Sequence, residues 1–283
     1  MGIKIVTDST SYIPQDIKEE YDIRITSLNF VFGKESVREV DIDNSTFYKE
    51  MEEKGEIPTS SQPSIDELYK VFEEIVANGD DILAIFISSD MSGTYSSAHL
   101  AKNLILEKYP QANIEIQDSR TNCMQMGFQA IEAAKVAKNN GSMDEVLKRA
   151  EWVRDNSKFI FAPETLTYLK KGGRIGGAAA FLGTIFQIKP ILTVEDGKTT
   201  VFDKVRTKKK AIDRFLNHLV EINESKGIGE VVVHHINAEE EGRQIALRIK
   251  ELLNIDATVC SIGPVIGLHV GPGTTGVTYF TKE

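Results

Sequence analysis

Cysteine is almost missing from this sequence: 283 residues contain two, Cys123 and Cys260. They stand far apart and outside any CxxC spacing, which excludes a disulfide framework and leaves two reduced thiols as the expectation. Long apolar runs are missing as well. The longest, 175–188, is too short and too rich in glycine to cross a bilayer. Positive charge is not in excess: 33 Lys and Arg stand against 42 Asp and Glu, a formal net charge of -9. With no overall basic field to displace counterions, nucleic acid is not an expected partner. A leader pattern is absent too. Met1-Gly2 runs straight into IKIV, and Val6 stands where myristoylation wants Ser or Thr. A soluble cytoplasmic chain is the expectation.

Catalytic signatures are equally scarce. The sequence has no GxxxxGK[ST] loop, no GxGxxG after a strand, no HExxH and no GxSxG elbow. His234 and His235 are neighbours on one strand and point to opposite faces, so strand spacing cannot make them share a metal. Neither a catalytic residue nor a metal or other cofactor is expected.

What the chain does have is a stretch around which the rest is arranged, residues 81–101. An apolar strand, 82–87, runs into Ser88-Ser89-Asp90-Met91-Ser92-Gly93-Thr94 and then into a helix. In open α/β sheets the carboxyl ends of strands open into a crevice, and a following helix aims its unpaired N–H groups there. Such a turn suits an oxyanion, a phosphate or a carboxylate. The plainer reading is a capped helix behind a solvated turn. Three further clusters tip the balance: Thr7-Asp8-Ser9-Thr10-Ser11, Thr59-Ser60-Ser61-Gln62-Pro63-Ser64, and Asp118-Ser119. All four are expected along one sheet edge.

Strands alternating with helices predict a parallel, Rossmann-like sheet with helices on both faces for residues 1–157. Ser64 with Glu67, and Ser142 with Glu145, form S-x-x-E capping boxes. A helix within 41–54 is expected to be exposed. From residue 158 the pattern changes. Asp196-Gly197 between two strand-like runs predicts a hairpin. Helices over 208–223 and 239–253 alternate with strands over 230–236, 258–262 and 276–280. A second α+β domain, 158–283, with a partly antiparallel sheet is the expectation.

Gly172-Gly173-Arg174-Ile175-Gly176-Gly177 either caps a helix or lets backbone approach a ligand beside a permanent cation. His269 sits among Gly267, Gly271, Pro272 and Gly273, in what reads as a loop, with a ring donor able to reach an anion. Ser92 and His269 would be a nucleophile and base in an esterase, yet the sequence supplies no evident third member to orient the histidine. A binder of a polar phosphorylated ligand is the other alternative. Lys204, Arg206, Lys208, Lys209 and Lys210 form either a solvated face or a patch for an acidic partner.

Five ordered motifs carry a resemblance: IKIVTDST, PTSSQPS at 58–64, ISSDMSGTYSSA at 87–98, LTYLKKGGRI at 166–175 and GPVIGLHVGPGT at 263–274. Over essentially its whole length the chain resembles the DegV family, fatty-acid-binding proteins that include the FakB subunits of bacterial fatty acid kinase. The resemblance implies two α/β domains with one long-chain fatty acid between them. It implies a carboxylate held by Ser60 or Ser61, by Ser92 with Thr94, and by His269, with Arg174 and Arg206 at the pocket mouth or facing a partner. The family usually has Thr-Ser before Gln-Pro where this chain has Ser60-Ser61, which leaves open which serine makes the contact. Phe159, Phe161, Phe181 and Phe186 are candidates for lining the tail, or are plain core. The implied role is that of a carrier without catalysis of its own. It would present the acid to a kinase catalytic subunit, and an acyltransferase would use the acyl phosphate in phospholipid synthesis, with transient contact at a membrane surface.

Overall fold

The computed structural model describes residues 2–182 and 188–283. The first stretch of the chain forms β1 (Ile3–Asp8), α1 (Gln15–Tyr21), β2 (Arg24–Thr26), β3 (Asn29–Phe32), β4 (Glu35–Arg38) and α2 (Asn44–Lys54). Next come β5 (Thr59–Ser61), α3 (Ile65–Ala77), β6 (Asp81–Phe86), α4 (Thr94–Lys108), β7 (Ile114–Asp118), α5 (Cys123–Lys138) and α6 (Met143–Asp155). Then follow β8 (Ser157–Ala162), α7 (Thr167–Lys171), β9 (Lys189–Glu195), β10 (Lys198–Val205) and α8 (Lys208–Ser225). The chain closes with β11 (Ile228–His235), α9 (Glu239–Leu253), β12 (Thr258–Ser261), α10 (Pro264–Val270) and β13 (Thr275–Thr281). Two compact units result, one of Met1–Val40 with Ser60–Asp155, the other of Asp41–Thr59 with Asn156–Glu283. Among the described residues no helix is long and apolar enough to cross a membrane.

The first unit is built on a parallel sheet in the order β2-β1-β6-β7. Strand β6 lies inside it and is apolar on both faces, as a covered parallel strand must be. Val6, Ile82, Ala84, Phe86 and Ile114 pack against Leu68, Phe72 and Ile75 of α3 and Ala98, Ala101 and Ile105 of α4. Helix α5 packs against β1 and β6. Its start is buried from Cys123 to Ala134. Both capping serines do their work: Glu67 N–H donates to Ser64 Oγ, and Glu145 N–H to Ser142 Oγ. Only the second box is reciprocal, with Ser142 N–H donating to Glu145 Oε2. Glu67 turns instead to Ser27 N–H and Arg38.

One expectation fails here. The 59–64 cluster does not lie on the parallel sheet, because β5 belongs to a separate three-stranded sheet, β4-β3-β5. The edge of the parallel sheet therefore carries three of the four clusters.

The second unit is a six-stranded mixed sheet, β10-β9-β8-β13-β11-β12, antiparallel except for the β11–β12 pair. Asp196 and Gly197 both take positive φ, 48° and 79°, as a two-residue hairpin turn requires. Ile160, Ala162, Ile191, Val231, Val233, Val277 and Tyr279 pack with Phe215, Leu216 and Leu219 of α8 and Ile245 and Ile249 of α9.

Helix α2 is not the exposed helix its polar sequence suggested. Phe47, Tyr48 and Met51 are buried. Tyr48 Oη donates to the carbonyls of Ile262 and Gly263 at 2.8 and 3.0 Å. Asn44 Nδ2 donates to Ser261 Oγ at 3.0 Å. A methyl group at Gly267 would overlap the Tyr48 hydroxyl, so α10 needs glycine where α2 lies on it.

Buried ionisable groups divide unevenly between the units. In the second, burial pushes His234 down to about 3. Burial, with Arg214 adding to it, pushes His218 down to about 4, and its Nε2 lies 2.7 Å from Tyr279 Oη. In the first, burial pushes Asp8 up to about 6 against the hydrogen bonds from Ile87 and Thr10. A histidine depressed by folding stabilises above its unfolded value and loses that stability as pH falls, about 2 kcal/mol for a fully buried ring between roughly pH 7 and 5. A raised carboxyl acts oppositely, adding stability as pH falls through its folded value. Acid should therefore open the second unit first. Hydrogen exchange across this range checks it, and earlier loss of protection in the first unit would contradict the assignment.

Candidate ligand-binding site

In the first unit the turn after β6 is tied down on both sides. Ile87 N–H donates to Asp8 Oδ2 at 2.8 Å. Ser88 N–H donates to Thr121 O, and Ser88 O accepts from Met91 and Ser92 N–H. Ser89 Oγ donates to Asp118 Oδ2, and Arg120 pairs with Asp90 at 2.9 Å. Ser92 Oγ, half-buried, lies 2.9 Å from Thr94 Oγ1 and accepts from Thr94 N–H. Two hydroxyls thus sit at the start of a 15-residue helix, where N–H groups and the positive dipole end favour an anion.

The 59–64 segment reaches this turn although it belongs to another sheet. Gln62 Nε2 donates to Ser97 Oγ of α4 at 2.9 Å. A methyl group at Gly93 would overlap the Gln62 amide, so glycine there lets the two loops meet. Ser60 is half-buried and Ser61 exposed. The Gln62–Gly93–Ser97 junction was not anticipated from the sequence. Its only signals were a glutamine between serines and a glycine ahead of a helix.

In the second unit His269 sits on α10, not in a loop, because Pro264 starts a helical turn that runs to Val270. A methyl group at Gly172 would overlap His269 Nδ1, and one at Gly271 would overlap the Tyr168 ring. Burial, and secondarily the Arg174 charge, push His269 down to about 4, so the ring is neutral near pH 7. Arg174 itself is exposed and donates from Nη1 to Gly172 O at 2.6 Å.

The basic run is not uniform. Lys204, Arg206, Lys209 and Lys210 are exposed. Lys208 is structural: Nζ donates to Gly273 O at 2.6 Å and pairs with Glu241 at 2.5 Å. Phe159 and Phe161 stack at 4.9 Å. They alternate along β8 with Ile160 and Ala162, which face the α8–α9 core, so the phenyl rings lie on the other sheet face. Phe181 borders a cavity of about 410 Å³ with Leu166, Leu182 and Ile188. Phe186 lies outside the described residues. Among the described residues no cluster could hold a metal ion.

Each unit thus presents uncharged donors, hydroxyls at a helix start in one and a neutral imidazole in the other. Such groups bind an oxyanion by hydrogen bonding. The close fit of His269 against Gly172 makes a specific expectation. Gly172→Ala should displace the ring from its buried position and raise its titration from about 4 toward the ordinary 6.5, read by NMR of the imidazole protons. An unchanged titration would show that the glycine does not hold the ring in place.

Similarity to known proteins extends along the full chain. Residues 2–282 match a family model described as "Uncharacterised protein, DegV family". A DegV domain-containing protein of Clostridium acetobutylicum is 52% identical over 283 residues, 100% of this chain and 99% of that protein. The solved structure of DegV, a fatty acid binding protein from Bacillus subtilis, is similar at TM-score 0.89 and 34% identity, covering 100% of both chains. That of a stearic acid-binding protein from Eubacterium ventriosum is similar at TM-score 0.90 and 28% identity, covering 99% of this chain and 98% of that one.

Proposed function

Because this chain belongs to the DegV family, we propose that it binds one long-chain fatty acid and serves as a carrier rather than an enzyme. The carboxylate is taken by Ser60 or Ser61, Ser92, Thr94 and His269. The observation that carries this reading is the full-length likeness to solved structures described as binding fatty acid. The local geometry supports it, since Gln62 joins the two serine-bearing loops and the Ser92 hydroxyl is paired with Thr94.

The energetics suit this cargo. An acyl tail gains roughly 0.8 kcal/mol per buried CH₂, on the order of 10 kcal/mol for a common chain before ordering costs. Its carboxylate cannot be buried without donors. Phe159 and Phe161, both buried, lie on the sheet face away from α8 and α9 and are the candidates for lining the tail.

In this reading the bound acid is presented to a separate kinase subunit, which supplies the nucleotide chemistry that this sequence has no motif for. An acyltransferase then draws on the acyl phosphate for phospholipid synthesis. Arg174, Arg206 and the exposed lysines beside Arg206 are the surface for that hand-over, including any passing contact with a membrane.

Mass spectrometry of the purified protein, native and after extraction, should find one equivalent of fatty acid. A protein that is empty and takes up no added acid would overturn the reading. Ser92→Ala and His269→Ala should each weaken acid binding by about 1–3 kcal/mol; wild-type affinity in both would remove these residues from the site. Arg206→Glu should leave acid affinity unchanged and slow phosphorylation by the partner kinase, and an unaffected rate would exclude that face.

A further inference from the structure

Asp8 stands outside the donor set named above, yet the turn carrying Ser92 and Thr94 begins on its carboxylate. It ends β1 with 0% exposure. Oδ1 accepts from Thr10 N–H at 3.0 Å and from Thr10 Oγ1 at 2.5 Å, while Oδ2 accepts from Ile87 N–H at 2.8 Å. The reason lies in the ladder. Asp81 N–H donates to Gly2 O, and every second N–H of β6 thereafter faces β1. At Ile87 the pattern calls for the Asp8 carbonyl, but the chain turns at Ser9–Ser11, and the side chain takes the bond in its place.

We infer that Asp8 is a positioning residue for the carboxylate-binding hydroxyls, acting through Ile87 on the turn that aims Ser92 and Thr94. The inference rests on the fatty-acid reading of that turn. From Ile87 the bonds run on without a gap. Ser88 O receives the N–H groups of Met91 and Ser92 at 2.9 and 3.1 Å, and Ser92 Oγ meets Thr94 Oγ1 at 2.9 Å. Among the described residues Asp8 has no charged partner to compete for it. The other acids of these loops are engaged elsewhere: Glu39 by Ser9 and Tyr12, Glu67 by Ser27 and Arg38, Asp90 by Arg120, and Asp118 by Ser89 and Arg120. Three donors converge on one acceptor-only group. Asparagine offers them a single acceptor oxygen and sets an amide N–H₂ against the rest.

The test compares oleic acid with oleyl alcohol, which share a tail and differ in the head group, at about pH 8, where Asp8 is ionised. Asp8→Asn should weaken oleic acid about tenfold and leave the alcohol unchanged in the folded fraction, so the acid-to-alcohol ratio falls. Thr10→Val, which removes one of the three donors, should give the same selective loss at about threefold, and it decides the matter if Asp8→Asn does not fold. Equal loss of acid and alcohol would mean a structural role only, and wild-type acid binding in the variants would overturn the inference. Ser92→Ala serves as the control. If it too binds acid like wild type, Ser92 leaves the site, and if the wild-type protein binds no acid the fatty-acid reading fails; both results are distinguishable from failure of the Asp8 role alone.

Discussion

A parallel strand covered on both faces can carry nothing polar along its length, so its chemistry is forced to its ends. Strand β6 imposes that constraint on the first unit. From Ile82 to Phe86 every side chain is buried and apolar. At Ile87 the ladder runs out, and the backbone groups beyond it still have to be satisfied. The neighbouring loops do this: Asp8 takes the N–H of Ile87, and Thr121 O takes that of Ser88. The turn that presents Ser92 and Thr94 is therefore a consequence of satisfying a buried strand end. The placement of the two hydroxyls has that cause.

The sequence disclosed most of this, and the reasons for its silences are physical. Apolar β6, the Asp196-Gly197 turn and the serine caps of α3 and α6 are local signals, each decided by residues within a few positions. Apart from the helix that carries His269, the failures involve partners distant in sequence. Helix α2 reads NSTFYKEMEEK, with three apolar residues too few to announce a buried face; its burial depends on Ile262, Gly263 and Gly267, more than 200 positions away. Strand β5 is three residues long, and nothing in Thr59-Ser60-Ser61 says which sheet it joins. Lys208 looks like its exposed neighbours until Glu241 and Gly273 O are seen to hold it.

The same distinction separates what was legible in the site. The clusters at 88–94 and 58–64 stood out because hydroxyls were concentrated where a helix was about to start. That they meet could not be read, since the joint is made by Gln62 on Gly93 and Ser97. His269 was legible as a candidate but misplaced, because glycines around it suggested a loop while Pro264 in fact begins a helix. Its neutrality follows from burial and from Arg174, a residue 95 positions earlier in the chain.

Neutral donors suit a head group that must be held and later given up. A guanidinium fork would bind a carboxylate roughly twice as strongly as neutral hydrogen bonds do, but left empty in a buried site it would be an uncompensated charge. Hydroxyls at a helix start and an imidazole kept uncharged by burial avoid that cost. Arg174 stays exposed, fastened to Gly172 O, and acts on His269 through its field without occupying the ring's place. In the carrier role, the division of labour then follows from magnitudes. The tail, at roughly 0.8 kcal/mol per CH₂, supplies most of the affinity; the head-group donors, at about 1 kcal/mol each, supply orientation and the distinction of an acid from other apolar chains. In that role a site so built would retain its cargo by the part that a partner does not need to touch, and would leave the reactive end held by bonds weak enough to exchange.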